Sequence, residues 1–174
     1  MKNIFLIVLV HVSVCLLAQG TVKSKSLKLK YTAPQGWNTE EFGGKNSWDE
    51  SGNALCKCSG VSFSKSHKDG KLNVVIYPST TSGLDSSKRN FVGNIRFDNV
   101  EKYDKTRNKF FSFEKKRSNF TDSKSNKKSF EVIRYFAKVE NHFYIIYTWQ
   151  ENMSALSPSI EKELFEMVNA VEPF

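Results

Sequence analysis

Two cysteines separated by one lysine, Cys56-Lys57-Cys58, carry the most reactive side chains of this chain. Thiolates bind soft metals and exchange with disulfides. In a strand the two side chains share a face, with Cα atoms about 6.6 Å apart, close to the upper limit for a disulfide. Zinc needs four ligands, and no second Cys/His cluster occurs. Three interpretations stay open: structural or incidental cysteines, a strained or intermolecular disulfide, and a thiol or metal carrier.

No sequence motif for catalysis accompanies the thiol pair. The chain lacks a Gly-x-Ser-x-Gly nucleophile elbow, a His-Glu-x-x-His zinc motif and a phosphate-binding loop. The two histidines beyond residue 20, His67 and His142, each lie next to a predicted turn, where we expect solvent exposure. We therefore predict a non-enzymatic protein with no catalytic, cofactor or metal-binding residues. The alternative is a small envelope enzyme whose site carries no recognised motif.

Two tryptophans flank a loop that contains paired glycines. Trp37 precedes this loop and Trp48 follows Gly43-Gly44. Large aromatic rings at such a place can line a ligand groove. Alternatively, Trp37 plugs one end of the hydrophobic core. Trp37 and Trp48 are therefore candidate groove aromatics.

Positive charge is concentrated in one part of the chain. Residues 102–128 hold ten Lys and Arg but three Asp and Glu, whereas the rest of the chain after residue 20 holds fifteen of each sign. Turn-forming residues predict that Arg117–Asn126 is the exposed tip of a hairpin. Such a patch attracts acidic proteins, lipid head groups or sulfated glycans. The alternative is a solvated loop that protects a sheet edge. The candidate patch consists of Lys109, Lys115, Lys116, Arg117, Lys124, Lys127 and Lys128.

The first twenty residues have the pattern of a secretory signal peptide that is cleaved. Lys2 precedes the apolar run Ile4–Leu17, and the small residues Ala18 and Gly20 precede a possible cleavage site. The run is shorter than the roughly 20 apolar residues that span a bilayer, and no later segment is apolar enough. We expect an exported protein, periplasmic or extracellular, without a transmembrane anchor. Phenylalanines interleave with the basic run, as in proteins that bind single-stranded nucleic acid, but export argues against that partner.

Alternating apolar residues predict strands through much of the remaining chain, and two stretches have helical periodicity. The order is that of a single α+β domain with a largely antiparallel sheet covered by helices. The predicted elements are a flexible lead-in at residues 21–26, strands at Leu27–Ala33, Ala54–Ser64 and Lys71–Pro78, a helix at Gly83–Phe97, strands at Lys109–Lys115, Ser129–Glu140 and His142–Gln150, and a helix at Ser157–Val171.

Three motifs follow one another in a recognisable order. A strand runs into a Pro-x-Gly-Trp turn at Tyr31–Trp37, a valine-rich strand ends in proline at Asn73–Pro78, and an aromatic strand, Phe143–Trp149, leads to a terminal amphipathic helix. This order resembles the PsbP-like family, the fold of the extrinsic photosystem II subunit and its bacterial relatives. The resemblance covers residues 27–174 and implies one domain, an α/β/α sandwich with an antiparallel central sheet flanked by helices.

The resemblance does not imply a reaction, because members of the family share a fold and serve unrelated binding roles. We therefore expect an exported binding or assembly module whose basic hairpin engages a protein or another anionic partner of the envelope. The oligomeric state stays open.

Overall fold

The computed structural model describes residues 20–43, 59–80, 91–92, 95–109, 111–122 and 129–174. Most of these residues form β-strands. Numbered along the chain, the strands are β1 (Val22–Ser24), β2 (Leu29–Tyr31), β3 (Asn38–Phe42), β4 (Gly60–Lys65), β5 (Leu72–Ser79), β6 (Phe91–Val92), β7 (Ile95–Arg107), β8 (Ser112–Asp122), β9 (Ser129–Val139), β10 (His142–Gln150) and β11 (Val171–Pro173).

Eight of the strands form one antiparallel sheet in the order β3-β4-β5-β10-β9-β8-β7-β6. Every pair of neighbouring strands in this sheet is consecutive in the chain, except for the pair of β5 and β10. That pairing joins the two halves of the sheet over the full length of β5, from Leu72 opposite Gln150 to Ser79 opposite Phe143. The centre of the sheet therefore depends on contacts between distant parts of the chain.

A small three-stranded sheet, β1-β2-β11, ties the beginning of the described chain to its end. Val22 pairs with Tyr31, and Tyr31 also pairs with Val171. Ser24 is buried, and its hydroxyl accepts a hydrogen bond from the Leu27 N–H at 3.4 Å. Within the predicted flexible lead-in at residues 21–26, Val22–Ser24 therefore form a strand, whose partner β2 lies further along the chain.

One helix, α1 (Pro158–Asn169), occurs among the described residues. The Ser157 hydroxyl caps it by accepting the Ile160 N–H, and Pro158 occupies the first turn, where a missing N–H costs nothing. The predicted helix Ser157–Val171 is confirmed, although it ends at Asn169 because Val171 begins β11. The apolar stripe of α1 packs against β5 and β10.

The main hydrophobic core lies between α1 and one face of the large sheet. Leu164, Met167 and Val168 have no exposed surface, and burial of each such side chain contributes about 1.5–3 kcal/mol. Val74 and Ile76 of β5 belong to the same cluster. On the opposite face a smaller cluster is formed by Phe136, Phe143 and Ile145, with Tyr147 packed against it.

The predicted α/β/α sandwich is wrong. Within the described residues α1 covers one face of a mostly β structure, so the sheet is not flanked by two helical layers. The predicted helix Gly83–Phe97 fails where it can be compared, because Phe91–Val92 is β6 and Ile95 begins β7; residues 83–90 and 93–94 lie outside the described residues.

Two features of this stretch explain the error. Phe91, Val92 and Ile95 fit a helical stripe as well as short strands. In addition, the register of β7 against β8 shifts between Asp98 and Lys102 and interrupts the period-two alternation that would have marked a long strand.

Candidate functional site

Three positively charged residues, Lys105, Arg107 and Lys138, lie at the same end of the sheet formed by strands β7, β8 and β9. The register places Arg107 opposite Ser112 and Ser112 opposite Lys138. One row further along, Lys105 lies opposite Glu114, which lies opposite Phe136. Neighbouring strands are about 4.8 Å apart, so the Cα atoms of Arg107 and Lys138 lie about 10 Å apart. Two distant parts of the chain thus contribute to one patch.

These side chains lie on the sheet face opposite α1. Phe113 and Ala137, which alternate with them along β8 and β9, belong to the core beneath the helix. Successive side chains of a strand point to opposite faces. Ser112, Glu114 and Lys138 therefore face away from α1.

An open concavity of about 800 Å³ lies at this position, and we call it the basic concavity. Phe136 is buried at its floor, whereas Lys105, Arg107 and Lys138 are exposed around it. The Lys138 ammonium lies 5.4 Å from the centre of the Phe143 ring, a cation–π contact. The residues that line the concavity are Lys105, Thr106, Arg107, Ser112, Phe113, Glu114, Phe136 and Lys138.

The lining suits the binding of an anionic group. Three cations surround one carboxylate, Glu114, and neither histidine nor cysteine is among the lining residues. Cations around an apolar floor attract an anionic group and offer it contact area. A volume of this size accommodates a few side chains of a partner.

A second group of charges lies on the helix face and is neutralised within the chain; we call it the glutamate–cation network. Arg117 donates to Glu131 at 2.9 Å and also to Glu161, to which Lys115 donates as well. The backbone N–H of Leu156 donates to the second Glu131 oxygen at 2.6 Å. The network joins β8 and β9 to the first turn of α1.

The pKa shifts follow from these contacts. Burial alone would raise the pKa of Glu161, but the hydrogen bonds and charges of Lys115 and Arg117 lower it below its usual value. Burial likewise would lower the pKa of Arg117, whereas Glu131 and Glu161 raise it. Both pKa shifts favour the charged forms of Glu161 and Arg117.

The structure divides the predicted basic patch. Lys115 and Arg117 belong to the glutamate–cation network, and Lys116 lies on the other face of β8. Lys109 is exposed between β7 and β8. The predicted positions Lys124, Lys127 and Lys128 lie outside the described residues.

The predicted tip at Arg117–Asn126 is too long. Strand β8 continues to Asp122 because it has a partner on each side, with Arg117 between Lys102 and Ile133. The hairpin of β8 and β9 itself is confirmed.

Sequence reasoning missed the basic concavity. Lys105 and Arg107 were part of the counted charge run, but Lys138 lies in a different strand. Only the register of β7, β8 and β9 shows that the three are neighbours.

The remaining candidates do not lie at the concavity. Trp37 is 2% exposed and belongs to the main core, after a turn in which its N–H donates to Pro34 at 3.1 Å. Trp37 therefore lies in the hydrophobic core, where the core-packing interpretation had placed it. The predicted positions Trp48, Cys56 and Cys58 lie outside the described residues.

The histidines are half-buried, and the expected exposure is wrong. His67 accepts the Asp69 N–H at 3.2 Å and contacts the Gln150 amide at 3.1 Å, so it helps to hold the β4–β5 turn. Burial and then the charge of Lys28 lower the pKa of His142.

The described ranges show neither a cluster of metal ligands nor a membrane-spanning helix. They contain no group of three or more His, Cys, Asp or Glu placed to hold a metal ion. Nor does any helix in them have the length and apolar character needed to cross a membrane.

An eight-stranded antiparallel sheet that carries the terminal helix on one face, with a Pro-x-Gly-Trp turn entering the core, is a PsbP-like fold. A solved structure similar to it is the solution structure of cyanobacterial PsbP (CyanoP) from Synechocystis sp. PCC 6803. The match has a TM-score of 0.50 and 10% sequence identity, and it covers 91% of this chain and 94% of that chain.

The predicted resemblance is thereby confirmed for the fold. No family model matches the sequence, and no curated protein matches it either. At this identity the likeness concerns the fold alone, so the function has to be argued from the site.

Proposed function

We propose that this chain is an exported, non-enzymatic binding or assembly module that engages an anionic partner through the basic concavity. One observation carries the proposal: Lys105, Arg107 and Lys138 converge around the buried ring of Phe136. Concentrated charge of one sign raises the local concentration of oppositely charged partners and accelerates their association.

Two further features support the role. The signal-peptide pattern of the first twenty residues favours a periplasmic or extracellular location. The PsbP-like fold is compatible with binding or assembly, since it is the fold of an extrinsic photosystem II subunit. The open shape of the concavity suits a macromolecular surface better than an enclosed small molecule.

We place the anion-binding site at the basic concavity rather than at the predicted hairpin tip for an electrostatic reason. Lys115 and Arg117 already donate to Glu161, so an external anion would have to displace a carboxylate of the chain itself. In the basic concavity three cations accompany one carboxylate. The lining of the basic concavity therefore has a net positive charge, whereas the glutamate–cation network, with two cations and two carboxylates, is neutral.

Retention on immobilised heparin tests the proposal. We expect the triple substitution Lys105→Glu, Arg107→Glu and Lys138→Glu to abolish retention and to change the melting temperature little, because all three side chains are exposed. Wild-type retention should weaken steeply once salt shortens the screening length below about 8 Å.

The matched control reverses three exposed lysines elsewhere: Lys25, Lys68 and Lys162. It changes the net charge by the same amount and should stay retained. Equal loss in both triple variants would mean that only net charge matters, which would refute a localised site.

A second comparison addresses the hairpin tip. Changing Lys124, Lys127 and Lys128 to Glu should leave most of the retention. If this variant loses retention while the concavity variant keeps it, the anionic partner binds the tip and the concavity proposal is wrong.

A further inference from the structure

The three-stranded sheet β1-β2-β11 has one face that points away from the core. Leu29 and Val171 belong to the main core. Successive side chains of a strand point to opposite faces, so Lys30 and Glu172, the next residues along β2 and β11, point outward. The register places Lys23 of β1 opposite Lys30, which lies opposite Glu172 and binds it at 2.6 Å. These three residues therefore form a row across the outer face.

An exposed aromatic ring lies on the same face. Phe174, the residue after β11, is 47% exposed, and the Lys23 ammonium lies 5.1 Å from the centre of its ring. Among the large apolar side chains of the described ranges, Val22 is the other exposed one, at 44%. Val22 precedes Lys23 in β1 and therefore points to the opposite face. The outer face thus combines a cation–π pair with apolar surface in contact with water.

Lysines dominate the charge of this face. Four of them occur within eight residues, and no acidic residue occurs in the range 21–39. Lys25 and Lys28 lie exposed in the turn between β1 and β2, and the Lys28 carbonyl accepts the Phe174 N–H at 3.0 Å. Because one carboxylate accompanies four lysines, the face keeps a net positive charge. We call it the lysine face, and its residues are Lys23, Lys25, Lys28, Lys30 and Phe174.

The types of these side chains favour a lipid surface over an acidic protein. Lysine carries a compact charge on a flexible stem, whereas arginine offers the planar fork that matches a carboxylate. All four cations of the lysine face are lysines. Flexible charges attract a layer of anionic head groups without a fixed geometry, while an exposed ring enters the interface and the lysine stems lie along it. The lysine face therefore suits the surface of a membrane.

We propose that the lysine face docks on an anionic lipid bilayer, with the Phe174 ring in the head-group region and Lys23, Lys25 and Lys28 against the head groups. This inference goes beyond the proposed function, because it concerns a second surface that shares no residue with the basic concavity. The signal-peptide pattern supports it, since export brings the chain to the outer side of a membrane.

Co-sedimentation with vesicles measures the docking. The protein is used in its exported form, from Thr21 onward, because the apolar run of the first twenty residues would itself insert into lipid. We expect binding to vesicles of phosphatidylglycerol and phosphatidylcholine in equal parts, and no binding to phosphatidylcholine alone. Binding should weaken as salt shortens the screening length below about 8 Å. Failure to bind the mixed vesicles at low salt overturns the inference.

Charge reversal at the lysine face is the first variant. Changing Lys23, Lys25 and Lys28 to Glu should weaken vesicle binding by at least about 100-fold, since each lysine near an anionic surface contributes about fivefold. The melting temperature should change little, because the three side chains are exposed. The matched control is the triple variant of the basic concavity, which changes the net charge by the same amount. It should bind the vesicles at least about tenfold more tightly than the lysine-face variant, and equal loss in both overturns the inference.

A second pair of variants tests the aromatic ring. Phe174→Ser and Val22→Ser each remove an exposed apolar side chain from the same small sheet, but from opposite faces. We expect Phe174→Ser to weaken vesicle binding by about threefold or more, because the ring leaves water when the face docks. Val22→Ser should bind like wild type. Equal affinities of the two variants contradict the proposed docking.

The outcomes also separate this inference from the proposed function. Retention on heparin without binding to vesicles overturns the docking of the lysine face alone. Binding to vesicles without retention on heparin refutes the concavity proposal alone. If the wild type binds soluble polyglutamate but not vesicles, and the lysine-face variant loses that binding, the surface fits an acidic protein and the inference is wrong.

Discussion

Replacing Glu161 with glutamine removes one charge from the glutamate–cation network and keeps the shape of the side chain. Lys115 and Arg117 both donate to this carboxylate, which is 23% exposed. Exposed ion pairs contribute about 0–1 kcal/mol, and removal of one partner from a fully buried pair costs about 3–5 kcal/mol. This site lies between those limits, and Arg117 keeps its bond to Glu131. We expect a loss of about 1–2 kcal/mol in the free energy of unfolding.

The loss should depend on pH in a defined direction. Burial alone would raise the pKa of Glu161, but Lys115 and Arg117 lower it from the usual value of 4.5. A carboxylate with a lowered pKa stabilises the folded state above its unfolded pKa, and this contribution disappears as the pH falls through the folded pKa. Wild type and Glu161→Gln should therefore differ at neutral pH and converge in acid, below pH 4.5.

Urea unfolding over a series of pH values measures this difference. At neutral pH the expected loss corresponds to a melting temperature lower by roughly 2–8 °C. The matched control is Glu166→Gln on the exposed side of the same helix, where the carboxylate is 59% exposed and 4.0 Å from Lys162. It should cost less than about 0.5 kcal/mol. If Glu161→Gln is as neutral as this control, or its effect is the same at every pH, the network does not hold α1 as described.

Three other substitutions test the fold and the remaining candidate residues. Trp37→Ala should cost roughly 3–5 kcal/mol in thermal or urea unfolding, because the ring is buried in the core; unchanged stability with lost binding would make it a ligand contact instead. Ser157→Ala should cost about 1 kcal/mol, since it removes the acceptor of a helix N–H at 3.3 Å, and an unchanged urea midpoint would contradict this. The double change Cys56→Ser and Cys58→Ser should leave folding and heparin retention unaltered; a large fall in the wild-type melting temperature on reduction would argue for a structural disulfide.

Features with local causes were predictable. Helix α1 has its cap, its first-turn proline and its apolar stripe within one short stretch, so the sequence pattern was sufficient. The β4–β5 hairpin turns at Asp69-Gly70, where Gly70 has a φ of 130° that other residues rarely adopt. The connection of β9 and β10 at Glu140-Asn141 is similarly short.

Strand β7 shows where a local pattern was insufficient. Its apolar residues near Ile95 fit a helix, and the register shift after Asp98 hides the alternation of the rest. The pairing with β8 overrides the helical pattern, because a strand becomes stable only when its backbone groups find a partner. Without β8, nothing in residues 95–107 distinguishes the two outcomes.

The charged residues show the same difference between what the sequence determines and what only the tertiary structure decides. The amino-acid sequence alone shows that residues 102–128 are strongly basic, since counting requires no structure. Only the tertiary structure separates the cations that form the basic concavity from those that the chain neutralises itself. Lys138 joins Arg107 through the register of three strands, whereas Glu161 reaches Lys115 and Arg117 because α1 folds back onto the sheet. Electrostatic interactions fall off with distance in space, and distance in space is set by the packing of elements that lie far apart in the chain.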